Sequence, residues 1–236
     1  MAREGLICFA LVLFSPLASP QPFPDKPLNF ECRVAANGDG EAVITNQSAS
    51  PLTAYVFQVL REPCNPIQAN EQVFRGYDAS TAPDGKSIPP FASTIQNLGA
   101  SYCNKDGVTS PAKALLKAAL FADGSSYGNK QWVEILLQHR ALELQRIDGA
   151  ISALISGTGR KNTRQEYVVL LEKAEASSNQ PKENSPPVEF SDVDPYETAI
   201  RQLKANPAAP LQNQIDGLLA ALQVMRSRIQ NAHTSK

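Results

Sequence analysis

The stretch "SPAKALLKAALFADG", residues 110–124, decides the fold, because it reads in two incompatible ways. Its Ala, Leu and Lys residues are strong helix formers, and Ser110-Pro111 offers an N-cap followed by a first helical position. Yet Ala114, Leu116, Ala118 and Leu120 alternate with Lys113 and Lys117, which is the two-residue period of a strand. Propensity alone favours the helix. As a strand, the stretch would complete a β region that begins at Leu28.

Upstream of it the apolar runs are short. "LNFECRVAA" (28–36) leads into "NGDG" (37–40), whose Asn and Gly tolerate the positive φ of a tight hairpin, so "EAVITNQ" (41–47) is the returning strand. "LTAYVFQVL" (52–60) sets Tyr55, Phe57 and Val59 on one face and Leu52, Ala54 and Val56 on the other. Apolar on both faces, it predicts a central strand. "EQVFRGYD" (71–78) and "STIQNL" (93–98) are weaker strands, separated by a loop at 81–91 that carries Pro-Asp-Gly and Pro-Pro. Short strands divided by turns are the pattern of a small antiparallel sandwich of immunoglobulin-like type, with an open sheet flanked by helices as the alternative.

Downstream the pattern turns helical. Trp132, Ile135, Leu136, Leu144, Ile147, Ile151 and Leu154 recur at helical spacing until "SGTG" (156–159) supplies glycines to end the helix. "TRQEYVVLLEKAEA" (163–176) is a second helical stretch, with Glu166, Glu172 and Glu175 as a solvated face. Residues 177–193 are polar and Pro-rich and predict a flexible linker. Asp194-Pro195 with Glu197 then reads as cap, first helical position and capping-box acid. Leu211, Ile215, Leu218, Leu222, Met225 and Ile229 are spaced four, three, four, three and four apart, an a/d seam. Leu144, Ile147, Ile151 and Leu154 repeat that spacing, so the seam can bury itself there or against a second chain.

Chemistry is sparse. The loop "DGSSYGN" (123–129) holds Asp123, Ser125 and Ser126, the residue types of a hydrolase acting on envelope polymers or peptides. No G-x-S-x-G elbow is present, and His139 and His233, the two histidines of the chain, lie in no recognisable motif. The loop needs less as a turn: Asp123-Gly124 reverses the chain, Gly128 takes an open conformation and Asn129 caps the following helix. "NGDGE" (37–41) lacks the spacing of a calcium loop, "SGTGR" (156–160) lacks the lysine of a phosphate loop, and Asn46-Gln47-Ser48 matches a glycosylation triplet that chance often produces. The expectation is no catalytic residue, no cofactor and no metal.

The chain of 236 residues has a net charge of −1, so no strong field recommends nucleic acid as a partner. Its N-terminus, "MAREGLICFALVLFSPLASPQPFP", carries an apolar run from Leu6 to Leu17, too short to span a bilayer and right for a secretory signal. A signal peptide at 1–20 predicts a secreted or periplasmic protein with no membrane span after cleavage. It leaves Cys32, Cys64 and Cys103, hence at most one internal disulfide. Cys64 and Cys103 sit in loop-like surroundings and are the disulfide candidates, with Cys32 buried in its strand. A zinc site is disfavoured, since no C-x-x-C exists.

"AVITNQSASPLTAYVFQV" (42–59), followed by "ALFADGSSYGN" (119–129), resembles uncharacterised exported bacterial proteins with an N-x-S-x-x-P-L-x-A-Y strand and an F-x-D-G-x-x-x-G turn. The resemblance spans roughly residues 40–140 and implies export, an all-β first half and no assigned activity. It also makes "AKALLKAALFADG" a strand entering a turn. The expected fold is therefore α+β: an antiparallel Ig-like β-sandwich (25–128), a helical extension (129–176), the linker (177–193) and a C-terminal helical segment (194–232). The expected function is a non-catalytic binding or structural module whose C-terminal helices meet a protein partner or a second copy.

Overall fold

The computed structural model describes residues 26–36, 39–60, 72–99, 113–158, 162–178 and 187–234. The N-terminal stretch expected to be a signal peptide, Asn37-Gly38 of the expected hairpin turn, and both Cys64 and Cys103 lie outside them. The described chain is α+β, with eight strands and four helices. Strands β1 (Leu28–Val34), β2 (Gly40–Asn46) and β5 (Ser93–Gly99) form an antiparallel sheet in the order β1-β2-β5. A second sheet runs β7-β6-β3-β4-β8, from β3 (Leu52–Leu60), β4 (Gln72–Asp78), β6 (Lys113–Phe121), β7 (Ser126–Gly128) and β8 (Val188–Phe190).

β3 is the central strand of that second sheet. Tyr55, Phe57 and Val59 share a core with Ala42, Ile44 and Leu98 of the first sheet, while Ala54 and Val56 meet Leu136 of helix α1 (Lys130–Gly157). Being apolar on both faces, β3 is covered on both. The ambiguous stretch is strand β6, paired antiparallel along β3. A nine-residue helix would be marginal by itself, whereas the strand gains a full ladder beside β3. Its alternation is interrupted: a register shift opposite Val56 and Phe57 sends Ala114, Ala119 and Phe121 to the inter-sheet core but Ala118 and Leu120 to α1.

Helices α2 (Arg164–Ser178), α3 (Pro195–Ala205) and α4 (Leu211–Thr234) pack with the second half of α1 around one core. Gly157 is the last helical residue of α1, and its bare Cα admits the Tyr167 ring, which an added Cβ would meet at 2.3 Å. Thr163 and Glu166 form a capping box at the start of α2, where Glu166 accepts the Thr163 N–H at 2.6 Å, so Glu166 is not merely solvated. Asp194 caps α3 as expected, accepting from the N–H groups of Tyr196 and Glu197, but the Glu197 carboxylate pairs with Arg201 instead.

Three expectations are corrected. The second sheet is mixed rather than antiparallel, because β8 pairs in parallel with β4. β8 belongs to the stretch read as flexible linker: Val188 and Phe190 pack against the cluster that holds Leu136 of α1, so residues 187–193 are built into the fold, while 179–186 lie outside the described residues. Cys32 is exposed rather than buried. Its sulfur accepts from the Ala114 N–H at 3.2 Å and donates to the Ala114 carbonyl at 3.5 Å, serving the β6 edge where β7 no longer pairs.

A candidate functional site where sheet and helices meet

α1 carries four polar side chains inward on successive turns: His139, Arg140, Glu143 and Arg146. Spacings of three and four residues place His139, Glu143 and Arg146 along one face of the helix, towards the chain that follows β8. Arg140 points to the end of β4. Its side chain is 1% exposed and that of Asp78 is 0% exposed. Nε and Nη2 of Arg140 donate to the two oxygens of Asp78 at 2.6 and 3.2 Å, a bidentate pair. Nη2 also donates to the Thr53 hydroxyl at 3.0 Å and Nη1 to the Ala232 carbonyl at 3.3 Å, so one side chain ties β3, β4 and α4 to α1. Asp78 further accepts from the N–H and hydroxyl of Ser80 at 2.9 and 2.6 Å.

His139 is held differently. Its ring stacks on Phe190 with centroids 3.7 Å apart and planes 3° from parallel. Phe190 lies across Gly76 of β4, where an added Cβ would come within 2.2 Å of the ring. Nε2 of His139 is 3.1 Å from Oδ2 of Asp192 but is not aligned for a hydrogen bond, and it is buried with no such partner among the described residues. The other oxygen of Asp192 accepts the Thr81 hydroxyl at 2.6 Å. Glu143 accepts from Nη1 of Arg146 at 3.0 Å, while Nη2 of Arg146 reaches Asp194. Burial pushes the Glu143 carboxyl above its ordinary range, an effect that Arg146 only partly offsets. One donor atom from each of His139, Glu143 and Asp192 lies within 4.8 Å of the others, an imidazole nitrogen and two carboxylate oxygens in one place.

The residues singled out by sequence go elsewhere. Ile215, Leu218, Leu222 and Ile229 are buried in the helical core with Ile147, Ala150 and Leu154, and Leu211 and Met225 are half-buried against it. The seam is therefore packed on its own chain, and among the large apolar side chains of α4 only Val224 is mostly exposed. In the 123–129 loop, Asp123 accepts from the N–H and hydroxyl of Ser125 at 2.9 and 2.6 Å, and Gly124 has φ 81°. Those bonds, the Ser125 hydroxyl first, hold the Asp123 carboxyl below its usual range. Ser125 and Ser126 line a cleft of about 250 Å³ with Leu137 and Arg140, but no histidine or carboxylate among the described residues lines it. Asn129 caps α1, accepting from the Gln131 N–H. Asn46 of the glycosylation triplet is fully buried, and its amide donates to the carbonyls of Ser50, Ile88 and Pro89.

Sequence reasoning missed His139, Glu143 and Asp192. The i,i+4 spacing of His139 and Glu143 is a readable signal, but Asp192 sits in the stretch assigned to a linker, and Asp78 and Arg140 share no local pattern. No helix among the described residues is long and apolar enough to cross a membrane. No protein-family model matches the chain, and no curated protein or solved structure matches it significantly.

Proposed function

We propose that the protein is an exported, non-catalytic binding module, an immunoglobulin-like sandwich seated on a helical platform, that contacts another protein through its three-stranded sheet. Phe91 carries this reading. It is 73% exposed and has φ 59°, the single non-glycine residue with positive φ among those described. Holding an L-residue in that region costs about 1–2 kcal/mol, and strain of this kind clusters where a surface does work. Phe91 precedes β5, whose Ile95 is 51% exposed and lies beside Val43 of β2 on the outward face. An aromatic tip beside an apolar strip has the composition of an interaction surface.

The core shared by the two sheets supports the sandwich, and the apolar run from Leu6 to Leu17 supports export. Asp123, occupied within its own turn, supports a non-catalytic role. The test is affinity capture from the cell envelope with wild type and Phe91→Gly. Wild type should recover one stoichiometric partner and Phe91→Gly should not. The variant's unfolding midpoint should equal or exceed that of wild type, because glycine relieves the positive φ. Equal capture by both proteins overturns the reading, as does turnover of an envelope substrate that is lost in Asp123→Ala.

A further inference from the structure

We propose that His139, Glu143 and Asp192 bind a divalent transition-metal ion of the zinc class, fastening the segment after β8 to α1. Imidazole and carboxylate donors suit such an ion, while one nitrogen among so few oxygens is poor for Mg²⁺ or Ca²⁺. Nε2 of His139 is buried, has no hydrogen-bond partner among the described residues, and faces a carboxylate oxygen 3.1 Å away. An imidazole nitrogen and a carboxylate oxygen that stand face to face without a hydrogen bond between them are placed as two ligands of one cation. With metal bonds of ~2.1 Å, ligand atoms in a tetrahedral site stand about 3.4 Å apart, so the His139–Asp192 separation already fits and Glu143 closes by a side-chain rotation.

Charge points the same way. Glu143, Asp192 and Asp194 gather three carboxyl groups around the single guanidinium of Arg146 beside the His139 ring. A divalent ion offsets that acidic surplus in a region where uncompensated charge is costly. The ligands are also held from behind. Phe190 fixes the His139 ring, and the Thr81 hydroxyl occupies one Asp192 oxygen while the other faces His139. Such outer contacts orient metal ligands. Three protein ligands leave a fourth position for water.

The test takes the full chain, freed of metal by a chelator, and titrates it with Zn²⁺ by calorimetry while following the unfolding midpoint. One Zn²⁺ per chain should bind, raising the midpoint, whereas the same concentration of Mg²⁺ leaves it unchanged. His139→Gln and Asp192→Asn should each weaken binding at least tenfold, and His233→Gln should not. Co²⁺ in the wild type should give a visible d–d spectrum without a thiolate charge-transfer band, separating this site from the cysteines. If either ligand variant fails to fold, the paramagnetically shifted imidazole resonance of Co²⁺-loaded His233→Gln decides. Its presence assigns the ligand to His139, and its absence overturns the site. No binding up to ~1 mM, equal binding by the ligand variants, or a thiolate band also overturns it.

Discussion

His139 and Arg140 are neighbours on α1, both carry nitrogen into the interior, and they end in opposite states. Arg140 spends its donors on Asp78, Thr53 and Ala232, and Asp78 takes two more bonds from Ser80. His139 is held as firmly, by a ring stack, yet its buried Nε2 has no hydrogen-bond partner among the described residues. A saturated polar cluster fixes one packing of sheet on helix. A cluster built with equal care and left unsaturated retains capacity for a ligand. The difference separates the part of this junction that folds the protein from the part free to do something else.

The largest effect should come from breaking the saturated side. Asp78→Ala leaves the Arg140 guanidinium buried without its counter-ion, and should cost about 3–5 kcal/mol in urea unfolding. Asp78→Leu combined with Arg140→Met, apolar and of similar bulk, should recover most of that loss. A single variant that costs under ~1 kcal/mol would mean water already reaches the pair, and the contrast with His139 would lose its basis.

Gly76→Ala should have a smaller effect, confined to the other side. The new Cβ would stand 2.2 Å from the Phe190 ring, so the ring must move and His139 loses its stacking surface. Overpacking of this kind costs about 1–3 kcal/mol. Zn²⁺ affinity should fall with it, while Asp78 and Arg140 remain paired. An unchanged unfolding midpoint would show that Phe190 is not seated on Gly76.

The sheets were legible because local pattern and tertiary surroundings agree. The two apolar faces of 52–60 match a strand buried on both sides, and Asn129 and Asp194 cap the helices their positions announce. β6 is the exception: its propensity favours a helix, the resemblance alone made it a strand, and its facing was hidden, since the register shift depends on β3 and is invisible in 113–121 alone. β8 was hidden by composition: three residues in a Pro-rich stretch become a strand only because β4 offers an edge. The junction was hidden for a related reason. Buried charges break the amphipathic pattern of α1, and Asp78 and Arg140 are 62 residues apart. The Thr163-x-x-Glu166 box, by contrast, was there to be read.

The finest test of the comparison is a slope rather than a step. Burial holds the Glu143 carboxyl above its ordinary value of 4.5, against the pull of Arg146 and His139, so the folded state binds that proton more tightly than the unfolded chain. Without metal, Glu143 therefore costs stability progressively as pH rises from about 4.5 through its folded-state pKa, and the loss is complete above it. Glu143→Gln resembles the protonated form, keeps an oxygen for Arg146 and does not titrate. The stability of the variant minus that of wild type should thus be near zero in acid, grow in favour of glutamine across that window, and then level off. Denaturant unfolding across the pH range, with chelator present, measures it. Saturating Zn²⁺ should reverse the sign at neutral pH, because the ion stabilises the wild type that still has its third ligand. Parallel profiles without metal would mean that Glu143 is solvated. A difference that Zn²⁺ fails to reverse would return His139 to the same structural role as Arg140.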